Sequence, residues 1–174
     1  VKLRGVPFRS GNHDYVIRTG GIEVFSRLVA MEHRQETPTE RVQCGIEAFD
    51  DLLDGGLFRG TSTVFLGPAG VGKTSLALQY ALHGAKAGDK TAVFLFDEGI
   101  KTLLRNAAGA ALKRHIEAGV VELRQIDPAE MSPGEFAGMV RRAAEWGARL
   151  IVIDGVSGYL NAMPGEKHLM LQIH

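Results

Sequence analysis

From Val42 onward, short apolar runs alternate with longer stretches whose apolar residues recur at helical spacing. Ile46, Phe49, Leu52 and Leu53 predict a helix, and Gly55-Gly56 stops it. Residues 61–66 (Thr61, Ser62, Thr63, Val64, Phe65, Leu66) are β-branched and apolar, the composition of a buried parallel strand. Good helix formers follow from Ser75 to Leu82, apolar nearly all round, and this helix ends near Gly84 to Gly88. A second strand covers residues 91–96 and terminates in Asp97-Glu98. Residues 101–118 read as a helix with a weak point at Gly109, and residues 120–126 as an alternating, more exposed strand. Ser132-Pro133-Gly134-Glu135 is a capping box with proline at the first helical position. Phe136, Met139, Val140, Ala143 and Ala144 face inward along that helix, which ends at Trp146-Gly147. Leu150, Ile151, Val152 and Ile153 then form an apolar strand closed by Asp154.

Strands and helices in alternation predict an α/β fold with a mostly parallel central sheet flanked by helices. Ligands on such sheets bind outside the carboxyl ends of the strands. The chain before Val42 is patterned differently. Tyr15 to Arg18 and Ile22 to Phe25 alternate polar and apolar about Gly20-Gly21, which predicts a β-hairpin. Glu32 to Arg41 is polar and contains Pro38, so it reads as a linker and the clearest boundary. The expected organisation is a hairpin segment over residues 1–31, a linker over 32–41 and the α/β domain over 42–174.

Composition narrows the function classes. The 174 residues are 45% apolar, enough for one core. Lys+Arg and Asp+Glu both number 20, so no global basic field calls for nucleic acid or an anionic membrane. Cys44 stands alone, which excludes an internal disulfide and suits a reducing cytoplasm; a small buried residue is its simplest role. His13, His33, His83, His115, His168 and His174 are scattered without metal-ligand spacing. No stretch approaches the ~18 consecutive apolar residues of a membrane span. The chain opens on Val1 and stops at His174, and the expectation is a piece of something longer.

Between the first expected strand and its helix the chain reads Gly67-Pro68-Ala69-Gly70-Val71-Gly72-Lys73-Thr74, the form G-x-x-x-x-G-K-[ST]. In such a P-loop the glycines let successive backbone N–H groups turn inward around the α- and β-phosphates of a nucleotide. Lys73 would reach the β- and γ-phosphates, and the Thr74 hydroxyl would ligate Mg²⁺. The helix that continues through Ser75 adds its positive N-terminal end. Strand, glycine loop and helix is the setting this motif requires, and a glycine-rich turn with an incidental lysine is the bland alternative.

Asp154 closes an apolar strand, the Walker B arrangement, and would hold Mg²⁺ through its water shell opposite Thr74. Its other reading is a turn residue or helix cap. Asp97-Glu98 is the candidate for activating an attacking water, with Glu98 orienting that water in line with the γ-phosphorus and Asp97 as its helper. Its alternative is a solvated acidic turn. Arg141 and Arg142 read as a solvated helix face. No nucleophile elbow, Cys/His pair or thiolate cluster is present.

These residues resemble a known family. Cys44-Gly45-Ile46, Phe49-Asp50, Leu53, Gly55-Gly56-Leu57 and Gly60, running into the glycine loop, resemble the opening of RecA-like ATPases. More narrowly they are similar to the KaiC group, the circadian-clock ATPases and their bacterial and archaeal relatives. Phe94-Leu95-Phe96-Asp97-Glu98 resembles the KaiC motif in which paired acids follow the second core strand. Lys2-Leu3-Arg4-Gly5, His13-Asp14-Tyr15, Ile17 and Gly21-Ile22-Glu23-Val24-Phe25 resemble the tail of one KaiC domain leading into the next. The resemblance implies two RecA-like repeats in tandem, with residues 1–31 ending the first and residues 42–174 opening the second, incomplete at its carboxyl end.

The resemblance further implies ATP and Mg²⁺ bound between subunits of a ring homohexamer, slow hydrolysis, signalling or clock partners and, in clock members, autophosphorylation on serine and threonine. The pattern departs at Asp97, where clock proteins carry a glutamate, and at Gly155, where relatives often carry serine. The phosphoacceptor segment and subunit-bridging basic residue would lie beyond His174. Two other readings remain open at this stage: a nucleic-acid-dependent RecA-like motor, with DNA-stimulated and salt-sensitive behaviour, and a nucleotide-gated scaffold whose turnover is incidental.

Overall fold

The computed structural model describes residues 13–25 and 40–158. At its centre is a parallel sheet in the order β6(Val121–Gln125), β5(Thr91–Leu95), β7(Leu150–Asp154). β5 is buried along its whole length, because helices cover both sides of the sheet. Val93 and Leu95 face a cluster containing Leu78, Ala81 and Leu82 of α2(Lys73–Lys86) and Leu112 of α4(Ala107–Glu117). Ala92, Phe94 and Phe96 face α5(Pro133–Glu145) on the other side. There Phe136 meets Phe94 and Phe96 edge-on, with ring centroids 5.5 and 5.1 Å apart. Alternate residues of one strand thus serve two cores, as a doubly covered sheet requires.

The flanking strands are less covered. β6 is exposed toward its end, in keeping with its alternating sequence. The capping box forms as expected: the Ser132 hydroxyl accepts from the Glu135 N–H, and Glu135 Oε2 accepts from the Ser132 N–H at 2.9 Å. α1(Glu47–Leu52) follows the short strand β3(Arg41–Val42), which pairs antiparallel with β4(Leu57–Phe58). Arg41, expected as the last linker residue, lies in β3; the rest of the expected linker except Glu40 lies outside the described residues.

Two expectations change. Residues 61–66 form no strand. Among the described residues they pair with no neighbour, and a strand exists only by sharing its backbone hydrogen bonds with another. Val64 and Leu66 are consequently 68% and 90% exposed, while Phe65 stacks on Tyr80 and the Thr61 hydroxyl donates to the Phe58 carbonyl at 2.7 Å. The long helix expected over 101–118 is split into α3(Ile100–Leu103) and α4. The break falls before Gly109, because Asn106 accepts the Gly109 N–H at 2.7 Å and starts a new helix. Gly109 is needed for a different reason: a Cβ there would overlap the Leu103 carbonyl oxygen.

The hairpin is present as β1(Asp14–Arg18) and β2(Gly21–Phe25), antiparallel from Asp14↔Phe25 to Arg18↔Gly21. It rests on the first turns of α5. Arg18 pairs with Glu135 at 2.6 Å, and Phe25 lies against Gly134 and Gly138.

At the amino ends of β5 and β7, four charges form a network. Arg59 lies 2.8 Å from Glu40 and 3.0 Å from Asp89, and Arg149 reaches the same two carboxylates. The Arg59–Glu40 contact through Nε is an ion pair without hydrogen-bond alignment. This network fastens the entry of the domain to the end of the sheet remote from the P-loop motif's expected partners. Among the described residues no helix is long and apolar enough to cross a membrane.

Candidate nucleotide-binding site

Gly72 has a φ of 92°, a left-handed value that glycine adopts without steric cost, and it caps α2 directly before Lys73. No side chain caps this helix. Its first-turn N–H groups and its positive end are thereby available to an anion. Thr74 is half-buried and Ser75 exposed, both in that first turn. Gly67, Pro68, Ala69, Gly70 and Val71 form an exposed loop. Lys73 folds across it: Nζ donates to the carbonyls of Gly67 and Pro68, both at 2.8 Å.

The acidic candidates lie at the opposite ends of the strands from the charge network. Leu95 is in register with Gln125 on one side and Asp154 on the other, so three strand ends finish level. The ladder continues one residue further, where the Phe96 N–H donates to the Asp154 carbonyl at 2.9 Å. Asp97 and Glu98 follow immediately. The structure therefore brings Asp97, Glu98 and Asp154 to one rim. α2 packs against β7, which sets the helix opened by Lys73 beside the strand closed by Asp154. Among the described residues, no hydrogen bond or ion pair joins Lys73 or Thr74 to Asp97, Glu98 or Asp154.

Two residues at this rim escaped the sequence reading. Gln125 ends β6 and accepts the Ile100 N–H through Oε1 at 3.4 Å. The rule that ligands gather at strand carboxyl ends could have flagged it. Gly158 lies against Asp97, and no sequence signal marks it.

A second polar cluster supports α2 from behind. Asp50 is buried and accepts the N–H groups of Cys44 and Gly45, both at 2.9 Å. Burial opposes its ionisation, but these donors and nearby His83 outweigh it and hold its carboxyl below the usual range. Burial raises the Cys44 thiol and pushes the Tyr80 phenol up to about 12. Cys44 is thus a poor nucleophile, as the sequence suggested.

An uncapped helix opening on a glycine-rich GKT loop, beside a parallel sheet edged with carboxylates, defines a P-loop nucleotide-binding protein. The family model described as "ATPase: KaiC" matches residues 42–168, and the chain belongs to that family. It is 28% identical over 91% of its length to a circadian clock oscillator protein KaiC from Parathermosynechococcus lividus, covering 33% of that protein. A KaiC 1 from Synechocystis sp. is 25% identical over 91% of the chain and 35% of its own length. A circadian clock protein KaiC3 from the same organism is 31% identical over 63% of the chain and 22% of its own length. The chain spans about a third of the first two relatives.

Proposed function

We infer that this chain is the nucleotide-handling part of a KaiC-type ATPase, binding Mg²⁺·ATP and hydrolysing it. The observation that carries the reading is α2: it opens without a side-chain cap at left-handed Gly72, and its first residue is the P-loop lysine. Gly67, Pro68, Ala69, Gly70, Val71 and Gly72 cradle the phosphates with Lys73, Thr74 and Ser75. Mg²⁺ in nucleotide sites takes one or two protein oxygens and fills its shell with phosphate and water. The Thr74 hydroxyl and the Asp154 carboxylate are oxygens of that kind. Glu98 orients the water, whose oxygen attacks the γ-phosphorus while the carboxylate takes its proton and ADP leaves.

At the level of the whole protein, the relatives' names support a timing role; signalling and a cytoplasmic location belong to the same proposal. Family likeness further supports tandem repeats (1–31 closing the first, 42–174 opening the second), a ring homohexamer and autophosphorylation on serine or threonine. Lys73→Ala tests the core of this: ATP binding by calorimetry and phosphate release should both disappear. Unchanged ATP affinity in that variant would overturn the reading. Phosphopeptide mass spectrometry after incubation with Mg²⁺·ATP tests the kinase role separately.

A further inference from the structure

Asp97 is exposed and Glu98 half-buried, and neither makes a hydrogen bond or ion pair among the described residues; what sets Asp97 apart is its close approach to two glycines. Asp97 lies in a notch formed by two glycines beyond β7. A Cβ at Gly158 would overlap Asp97 Oδ1, and one at Gly155 would stand 2.6 Å from Oδ2 and 3.0 Å from the Asp97 nitrogen. Gly155 is also left-handed, with φ at 88°. Its carbonyl accepts the Gly158 N–H at 2.9 Å, which closes the turn that shapes the notch. Just before Asp97 the main chain is tied to β7 through the Phe96–Asp154 hydrogen bond. Just after Glu98 it is tied to β6, where Ile100 donates to Gln125. Glu98 sits between these two anchors and makes no hydrogen bond or ion pair among the described residues.

The geometry points to Asp97 as a positioning residue: seated in the Gly155–Gly158 notch, it fixes the turn that presents Glu98, and it is not a second proton acceptor. The inference rests on the reading above that Glu98 orients the attacking water. Its physical basis is the sensitivity of in-line attack to placement, where a displacement of about 1 Å costs on the order of 100-fold in rate. Two anchored flanks restrict the backbone of Glu98 while leaving its carboxylate unspent. The shorter side chain of Asp97 and the missing Cβ atoms at Gly155 and Gly158 are parts of one fit.

The test uses the full chain. Gly158→Ala should evict the Asp97 carboxylate and lower kcat for ATP about tenfold, with KM changed less than about twofold because the Lys73 loop is untouched. Asp97→Asn keeps the shape of the seated side chain but cannot take a proton, so its kcat should fall by less than about tenfold. A proton acceptor could not be replaced in this way, so a larger loss in Asp97→Asn overturns the proposal. So does a Gly158→Ala protein with unaltered kcat.

Hydrogen exchange at the Gly99 and Ile100 amides reads the same fit without turnover. It should quicken in Gly158→Ala and stay at the wild-type rate in Asp97→Asn, and exchange unchanged by Gly158→Ala overturns the notch. If Gly158→Ala does not fold, Gln125→Ala loosens the other anchor at an exposed position. It should raise exchange at Ile100 and lower kcat about threefold, and unaltered values overturn the anchoring. Should Lys73→Ala leave ATP binding intact, the functional reading falls while the exchange experiment still decides the notch.

Discussion

The Asp14 carboxylate accepts a 2.7 Å hydrogen bond from the backbone N–H of Gly134, a residue 120 positions away. That single contact puts a negative group on the first turn of α5, where the helix dipole favours it. It also requires Gly134: a Cβ there would stand 2.5 Å from the Cβ of Asp14 and 2.8 Å from that of Phe25.

Gly134→Ala therefore separates two effects. Alanine favours helix by at most about 1 kcal/mol, so α5 and its core should hold or gain stability. The hairpin, by contrast, should lift off. Limited proteolysis between β2 and β3 should become faster while the urea midpoint of the core does not fall. Unchanged cleavage would show that the hairpin tolerates the methyl group.

Asp50 gives the protein an acid-sensitive joint. Its folded carboxyl lies below its unfolded value of about 3.9, so the folded state binds that proton less readily. The stabilisation is complete above the unfolded value and disappears as pH falls through the folded one. Asp50→Asn should cost about 1.5–3 kcal/mol at neutral pH, the range for hydrogen bonds to a charged group. The gap between variant and wild type should narrow below about pH 4, as read by urea unfolding at a series of pH values. A gap that stays constant into acid would contradict the assignment.

Phe136 is the common neighbour of Phe94 and Phe96 on the α5 side of the sheet. Its truncation to alanine opens a cavity beneath the strand that delivers Asp97. The expected loss is about 3–5 kcal/mol, measured by equilibrium unfolding. A loss below about 1 kcal/mol would mean that α5 collapses onto the sheet and refills the space.

Ser132→Ala removes the acceptor that caps α5. A cost of about 1 kcal/mol is expected from thermal or urea unfolding. The Glu135 side chain would keep its bond to the Ser132 backbone position, so the loss should stay smaller than that of Phe136→Ala.

What the sequence disclosed, and what it hid, follows the range of the interactions. The capping box lies within four consecutive residues and was legible. β5 was legible too, because burial on both faces leaves a continuous apolar run. The split before α4 was harder: Asn106 caps over the same four-residue range, but Gly109 stands where the capping box has its glutamate, so the local signal is weaker. Residues 61–66 have the composition of a strand, but composition does not supply the neighbour that a ladder needs. At the rim, Lys73, Glu98 and Asp154 were visible as motif residues. The fit of Asp97 against Gly158 was not, since it joins segments that follow separate strands.

On the proposed function, an incoming phosphate would find two of the three Lys73 N–H donors already engaged by neutral carbonyls. Capture is then an exchange of acceptors, decided by how much more strongly an anion attracts the ammonium than an amide oxygen does. A singly charged or bulky anion offers little advantage in that trade, whereas a polyphosphate offers several negative oxygens at once. The resting position of one side chain would thereby set a threshold that favours highly charged ligands over the ordinary anions of the cell.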